Sequence, residues 1–176
     1  MTMNGVSKNN NPTTETFLLN TRFLDRPSLA ILFDSVRTQE YYEASCVIYD
    51  NKHFEKDYVF FSADNNMPVL VSPTALFYPN NLEYYRGDVL AISIRGAINA
   101  MESGCCFEKK TWFISDVSDF KNISTVLPYL VKFFDEIVFI NKFLKDVFGT
   151  VFNIIDESKM SVGSLKDLIE RKNEKR

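Results

Sequence analysis

Glycine and proline are scarce in this chain, with six of each in 176 residues. That scarcity excludes collagen-like, linker-rich and low-complexity organisation. The few glycines also stand too far apart to cradle a phosphate. Gly87, Gly96 and Gly104 are the most closely spaced, and neither G-x-x-x-x-G-K nor G-x-G-x-x-G can be read anywhere. Nucleotide-dependent catalysis therefore has no motif to rest on.

Histidine and cysteine are nearly as rare. The single histidine, His53, stands in the turn-like stretch DNKHFEKD, where an exposed polar residue needs no functional reason. Zinc requires four Cys, His or carboxylate ligands at short spacings, and there is no C-x-x-C. Asp50, Asp57 and Asp64 recur every seven residues, without the dense oxygen ligands or turn glycine of a calcium loop. They read as solvated turn carboxylates, so no metal and no cofactor is expected. Cys46, Cys105 and Cys106 are an odd number, and two are adjacent. Neighbours in a strand point to opposite faces, so reduced thiols are expected, as in a cytoplasmic protein. No residue set resembling a cysteine-enzyme signature accompanies them, and the chain is read as non-enzymatic.

Charge of one sign is lacking too. Twenty basic and twenty-three acidic side chains leave a net charge of −3, with no basic stripe for a nucleic acid. Lys166 to Arg176 holds five basic and three acidic residues, which suits the solvated C-terminal end of a helix. The N-terminal stretch MTMNGVSKNNNPTTE has no apolar core for a signal peptide and is expected to be a disordered arm over residues 1–15. Residues 16–176 are expected to form a single domain, with enough chain for its own core.

What the chain does hold is bulky apolar residues: 16 Phe and 8 Tyr within a 45% hydrophobic composition. Short segments rich in β-branched and aromatic residues run from Leu29 to Ser115. Leu29 to Phe33, Tyr42 to Tyr49, Asp57 to Ser62, Val69 to Ser72, Asp88 to Ile94 and Cys106 to Ser115 read as strands. A helical turn is expected near 74–77, and Gly96 to Ser103 has helical spacing, with Gly104 suited to its C-terminal cap. Such short separations favour hairpins over crossovers. The expected fold is α+β, an antiparallel β-meander of five to seven strands over 29–115, covered by C-terminal helices.

Those helices are expected at 125–148, 150–157 and 164–173. Leu127, Leu130, Phe134, Ile137, Asn141, Leu144, Phe148, Val151 and Ile155 recur at spacings of three and four. Charges in the same stretch fall on the opposite side, so it is read as a core helix and not a membrane span. Unbroken to Ile155 it would be about 46 Å long, at about 1.5 Å per residue. A domain of this size is roughly 40 Å across, so a break is expected at Gly149. Ser164 to Asp167 opens the last helix as a capping box. Residues 151–172, VFNIIDESKMSVGSLKDLIERK, resemble the approach to the first DNA-binding helix of AraC-type regulators, without an invariant motif. The likeness stops before any helix-turn-helix and implies at most a sensor domain without its reader.

Two tyrosine pairs beside charges suggest how such a protein acts. Tyr41 and Tyr42 lie between Glu40 and Glu43, and Tyr84 and Tyr85 between Glu83 and Arg86. Tyrosine beside charge is interface chemistry, and Phe139 and Phe143 flank the polar side of the long helix. Tyr41, Tyr42, Tyr84, Tyr85, Arg86, Phe139 and Phe143 are thus the candidate partner-binding residues. The expected function is a protein-binding module of the inhibitor, adaptor or chaperone kind, with a basic protein as partner. The alternative is a ligand-sensing domain holding an apolar molecule between the sheet and the long helix.

Overall fold

The structure, a computed structural model, describes residues 28–35, 37–50, 57–63, 75–77, 82–83, 85–116, 118–152 and 157–173. In chain order, β1 (Ser28–Phe33) is followed by α1 (Gln39–Asp50), β2 (Asp57–Ser62), β3 (Ala75–Phe77) and β4 (Asp88–Ala91). Then come α2 (Ile94–Glu102), β5 (Lys110–Ile114), a 3-10 segment (Ser118–Ile123), α3 (Leu127–Phe133) and β6 (Glu136–Phe139). The chain ends with α4 (Lys142–Phe152), a 3-10 turn (Glu157–Lys159), β7 (Met160–Val162) and α5 (Leu165–Asn173). The seven strands form one sheet in the order β3-β2-β1-β4-β5-β6-β7, and every pairing is parallel.

This is an α/β fold, and the expected antiparallel meander is overturned. The error turns on residues 42–49. Their aromatic and β-branched content reads as strand, yet they lie in α1, with Tyr41, Ala44 and Ile48 buried at helical spacing. Thr38 opens that helix by accepting the amide of Tyr41. Once α1 is a crossover, β1 and β2 run parallel, because a strand–helix–strand unit returns the chain in its starting direction. Residues 75–77 are strand, not the expected helical turn. The expected strand at 69–72, the N-terminal arm, His53 and Asp64 lie outside the described residues.

Both faces of the sheet are covered, which is why its strands are apolar without alternation. Leu29, Ile31, Phe33, Phe60, Leu90, Phe113 and Val138 point to the face that carries α1 and α5. Ala30, Leu32, Val89, Ala91, Trp112, Ile114, Ile137 and Phe139 point to the face of α2, α3 and α4. From β1 the chain steps one way across the sheet with α1 on one face. From β4 it steps the other way with α2 on the opposite face, so both crossovers have the same hand.

The long C-terminal helix is two helices with a strand between them. Phe134 leaves α3 in extended conformation, with φ −79° and ψ 142°, and Ile137, Val138 and Phe139 fill the sheet interior. The side chain of Asp135 accepts the Lys110 amide at 2.8 Å, which fixes β6 beside β5. Asn141 then caps α4 by accepting the Leu144 amide at 2.9 Å. Gly149, the expected break, lies inside α4. Residues 160–173 complete the sheet and its covering layer as β7 and α5, as part of the same α/β unit as the described residues before them. Ser164 does cap α5, accepting the Asp167 amide at 3.0 Å, and its hydroxyl donates to the Asp167 carboxylate at 2.6 Å, so one half of the expected capping box is in place.

The expected long helix is divided among α3, β6 and α4, and aromatic rings pack against the sheet there. Trp112 and Phe134 have ring centres 5.7 Å apart, Phe120 and Phe148 5.2 Å, and Phe139 and Phe148 5.1 Å. Among the described residues, no helix is long and apolar enough to cross a membrane.

Candidate ligand crevice

Where strand order reverses, the loops leaving two adjacent parallel strands diverge, and a crevice opens beyond their carboxyl ends. Here that place is between β1 and β4. A crevice of about 150 Å³ lies there, lined by Asp34 after β1, Ile92, Ser93 and Ile94 after β4, and Ser115 and Asp116 after β5. Thr38 and Glu40 from the start of α1 also line it, and Trp112, Phe113, Ile114 and Phe120 complete its inner wall.

Backbone contacts fix the positions of these side chains. The Ile92 amide donates to Leu32 O at 2.8 Å, and the Ala63 amide donates to Phe33 O at 2.9 Å. Ser62 Oγ donates to Asp34 O at 3.3 Å, which ties the end of β1 to that of β2. Ser93 is the N-cap of α2. Its Oγ accepts the Gly96 amide at 3.0 Å and donates to Asp34 Oδ1 at 2.9 Å, bridging the reversal point. Ser115 Oγ donates to Glu40 Oε1 at 2.6 Å, so the end of β5 is joined to the first turn of α1. A carboxylate in that first turn also complements the positive end of the helix.

Two serine–carboxylate pairs thus face a concave, partly apolar space. Their position was legible in part: Asp34, Ser93 and Ser115 stand directly after apolar strands, in LAILF-DS, VLAI-S and WFI-SD, whereas Glu40 lies in the first turn of α1. A parallel reading of those strands would have directed attention to their carboxyl ends. The hairpin reading directed it to tyrosines instead.

The sequence-predicted partner residues are dispersed. Tyr41 is buried, with its ring 4.6 Å from that of Phe33. Tyr85 is fully buried and donates from its hydroxyl to Asp88 O at 3.1 Å, and Phe139 is buried within β6. Arg86 is exposed, and Tyr84 lies outside the described residues. Tyr42 and Phe143 are 69% and 72% exposed, but on helices that cover opposite faces of the sheet. The structure therefore does not bring the six described ones together.

Other reactive groups lie away from the crevice. All three cysteines are unbridged. Burial pushes the Cys105 thiol up, against the opposing pull of the Arg86 guanidinium. A hydrogen bond with Cys46 one turn on raises the Tyr42 phenol. Burial works to raise the Glu136 carboxyl, but Arg171, Lys109 and Lys172 outweigh it and hold the group below its ordinary value. Among the described residues, no group of three or more His, Cys, Asp or Glu side chains could hold a metal ion. No protein-family model, curated protein or solved structure matches the chain.

Proposed function

We propose that this protein binds a small molecule in the crevice beyond the carboxyl ends of β1, β4 and β5. The observation that carries this reading is the reversal of strand order there, with Asp34–Ser93 and Glu40–Ser115 paired across the gap. Open parallel sheets offer ligands this position because the diverging loops leave a concave wall that needs no rearrangement. The reading is one of binding, without a chemical step. It replaces the expected apolar molecule under a long helix with a ligand that meets carboxylates at the crevice wall.

A screen of metabolite-sized compounds against the full chain tests it. A ligand present at about 100 times its Kd should stabilise the fold by about 2.7 kcal/mol. In amide-resolved NMR spectra the same compound should move Ser93, Ile94, Ser115 and Asp116. Stabilising compounds that leave those amides still and move others would overturn the assignment.

A second reading, the protein-binding module, is favoured by α4. Phe143 and Val151 are 72% and 64% exposed and stand two turns apart on one side of that helix, with Ile140 exposed just before it. A protein partner would gain apolar area there, and a basic one would be steered by the net charge of −3. Pull-down with wild-type and Phe143→Ser/Val151→Ser baits tests this surface. A partner retained equally by both baits would rule α4 out.

A further inference from the structure

The hydroxyl groups on the crevice wall have no proton to offer a ligand. Thr38 Oγ1 donates to Ser35 O at 2.9 Å and accepts the Tyr41 amide. Ser93 Oγ donates to Asp34 Oδ1, and Ser115 Oγ donates to Glu40 Oε1. A hydroxyl carries one proton, so all three are spent inside the protein. Each of the two carboxylates uses one oxygen in these bonds. Asp34 Oδ2 and Glu40 Oε2 take no hydrogen bond from any described residue. Among the described residues, no Lys, Arg or His lines the crevice.

The side chains therefore present acceptors and negative charge beside an apolar wall of Ile92, Ile94 and Ile114. An anionic ligand would meet like charges with no side-chain donor to satisfy it. The positive end of α2 does not reverse this, because the Asp34 carboxylate already stands at its cap. A bare metal ion is not the complement either, since no described cluster supplies enough ligands.

Resting on the small-molecule reading, we propose that the crevice selects an organic cation. Its ammonium group donates to Asp34 and Glu40, and its hydrocarbon body lies against the isoleucines. An ammonium fits because it brings three donors and no acceptor, the inverse of what the wall offers.

NMR titration of the full chain with four probes tests this: putrescine, spermidine, neutral D-ribose and anionic D-ribose 5-phosphate. Putrescine and spermidine should move the Ser93 and Ser115 amides saturably, and the sugar phosphate should not. Asp34→Asn and Glu40→Gln keep an acceptor for each serine, and each should weaken amine binding at least tenfold. Wild-type binding should also weaken severalfold between about 20 mM and about 500 mM salt, as screening of the charges requires. This arm holds even if a variant fails to fold. Saturable ribose binding without amine binding would overturn the cation proposal and leave the crevice reading intact. Amine affinity insensitive to salt and to both substitutions would overturn it equally, as would silence from both amines. A library compound that moves only amides remote from the crevice is the separate result that defeats the underlying reading.

Discussion

Gly96, in the first turn of α2, lies so close to Leu32 that a Cβ added to it would stand 2.7 Å from the Leu32 carbonyl oxygen. That oxygen also accepts the Ile92 amide, so it cannot turn aside without breaking a bond between β1 and the end of β4. The missing side chain lets α2 press against the end of β1, which holds Ser93 within reach of Asp34. Gly96→Ala should therefore lower stability by about 1–3 kcal/mol, the usual cost of overpacking. At this chain length each kcal/mol lowers Tm by about 3 °C. A thermal melt within 1 °C of wild type would show that α2 can withdraw freely, on the order of 0.3 kcal/mol or less.

Gly149 presents the opposite case. It lies within α4, and a Cβ there would meet nothing within 4 Å. The residue costs the helix its backbone freedom without serving a close contact. Gly149→Ala should raise stability by about 1 kcal/mol, read as a higher urea midpoint at unchanged slope. A lower midpoint would mean that the glycine serves a packing role beyond the contacts seen.

Asn141 shows why the sequence misled over the longest stretch. Its spacing from Ile137 and Leu144 fits a helix row, and three-and-four spacing continues unbroken from Leu127 to Phe148. Yet Leu127 and Leu130 belong to α3, Ile137 to β6, and Leu144 and Phe148 to α4, all five packed into one core. A four-residue strand is too short to disturb a helical period, so periodicity alone could not reveal it. The expectation that a 46 Å helix would overhang was sound in length and misplaced in position: the chain turns at Phe134 and Asn141, not at Gly149. If Asn141 is a cap, Asn141→Ala should cost about 1 kcal/mol, and Asn141→Ser or Asn141→Asp should restore most of it. Equal loss in all three variants would argue for a packing role instead.

The strands Leu29 to Phe33, Asp57 to Ser62 and Lys110 to Ile114 were legible because uninterrupted apolar runs bounded by polar residues have few other readings. Their direction was not. Direction depends on whether the intervening segment is a hairpin arm or a crossover, and in QEYYEASCVIYD aromatic and β-branched residues argue for strand while burial decides for helix. Tertiary packing of Tyr41, Ala44 and Ile48 against Phe33 and Phe60 overrides that local preference. The crevice was lost with the direction, since parallel strands alone collect their carboxyl ends at one edge.

Lys172 offers a test of the opposite edge of the sheet. Its side chain, 7% exposed, donates to Thr111 Oγ1 at 2.6 Å, near the amino ends of β5 and β6. Burial, aided by Lys109 and opposed by Asp88 and Glu136, lowers its pKa to about 8. In the unfolded chain the value returns to 10.5, so between pH 8 and 10.5 the unfolded state holds more protons than the folded one. Stability from this group therefore rises with pH across that window, by about 3 kcal/mol in all at about 1.4 kcal/mol per decade. Lys172→Met removes the titration and keeps a chain of similar length. The advantage of the variant over wild type should be greatest below about pH 8 and should shrink as pH rises toward 10. Other groups that titrate in this range, Tyr58 and Cys105 among them, are common to both proteins and cancel in the difference. Urea unfolding of both proteins at about pH 7, 9 and 10 reads it directly. Parallel stability profiles would show that Lys172 keeps an ordinary pKa and reaches solvent.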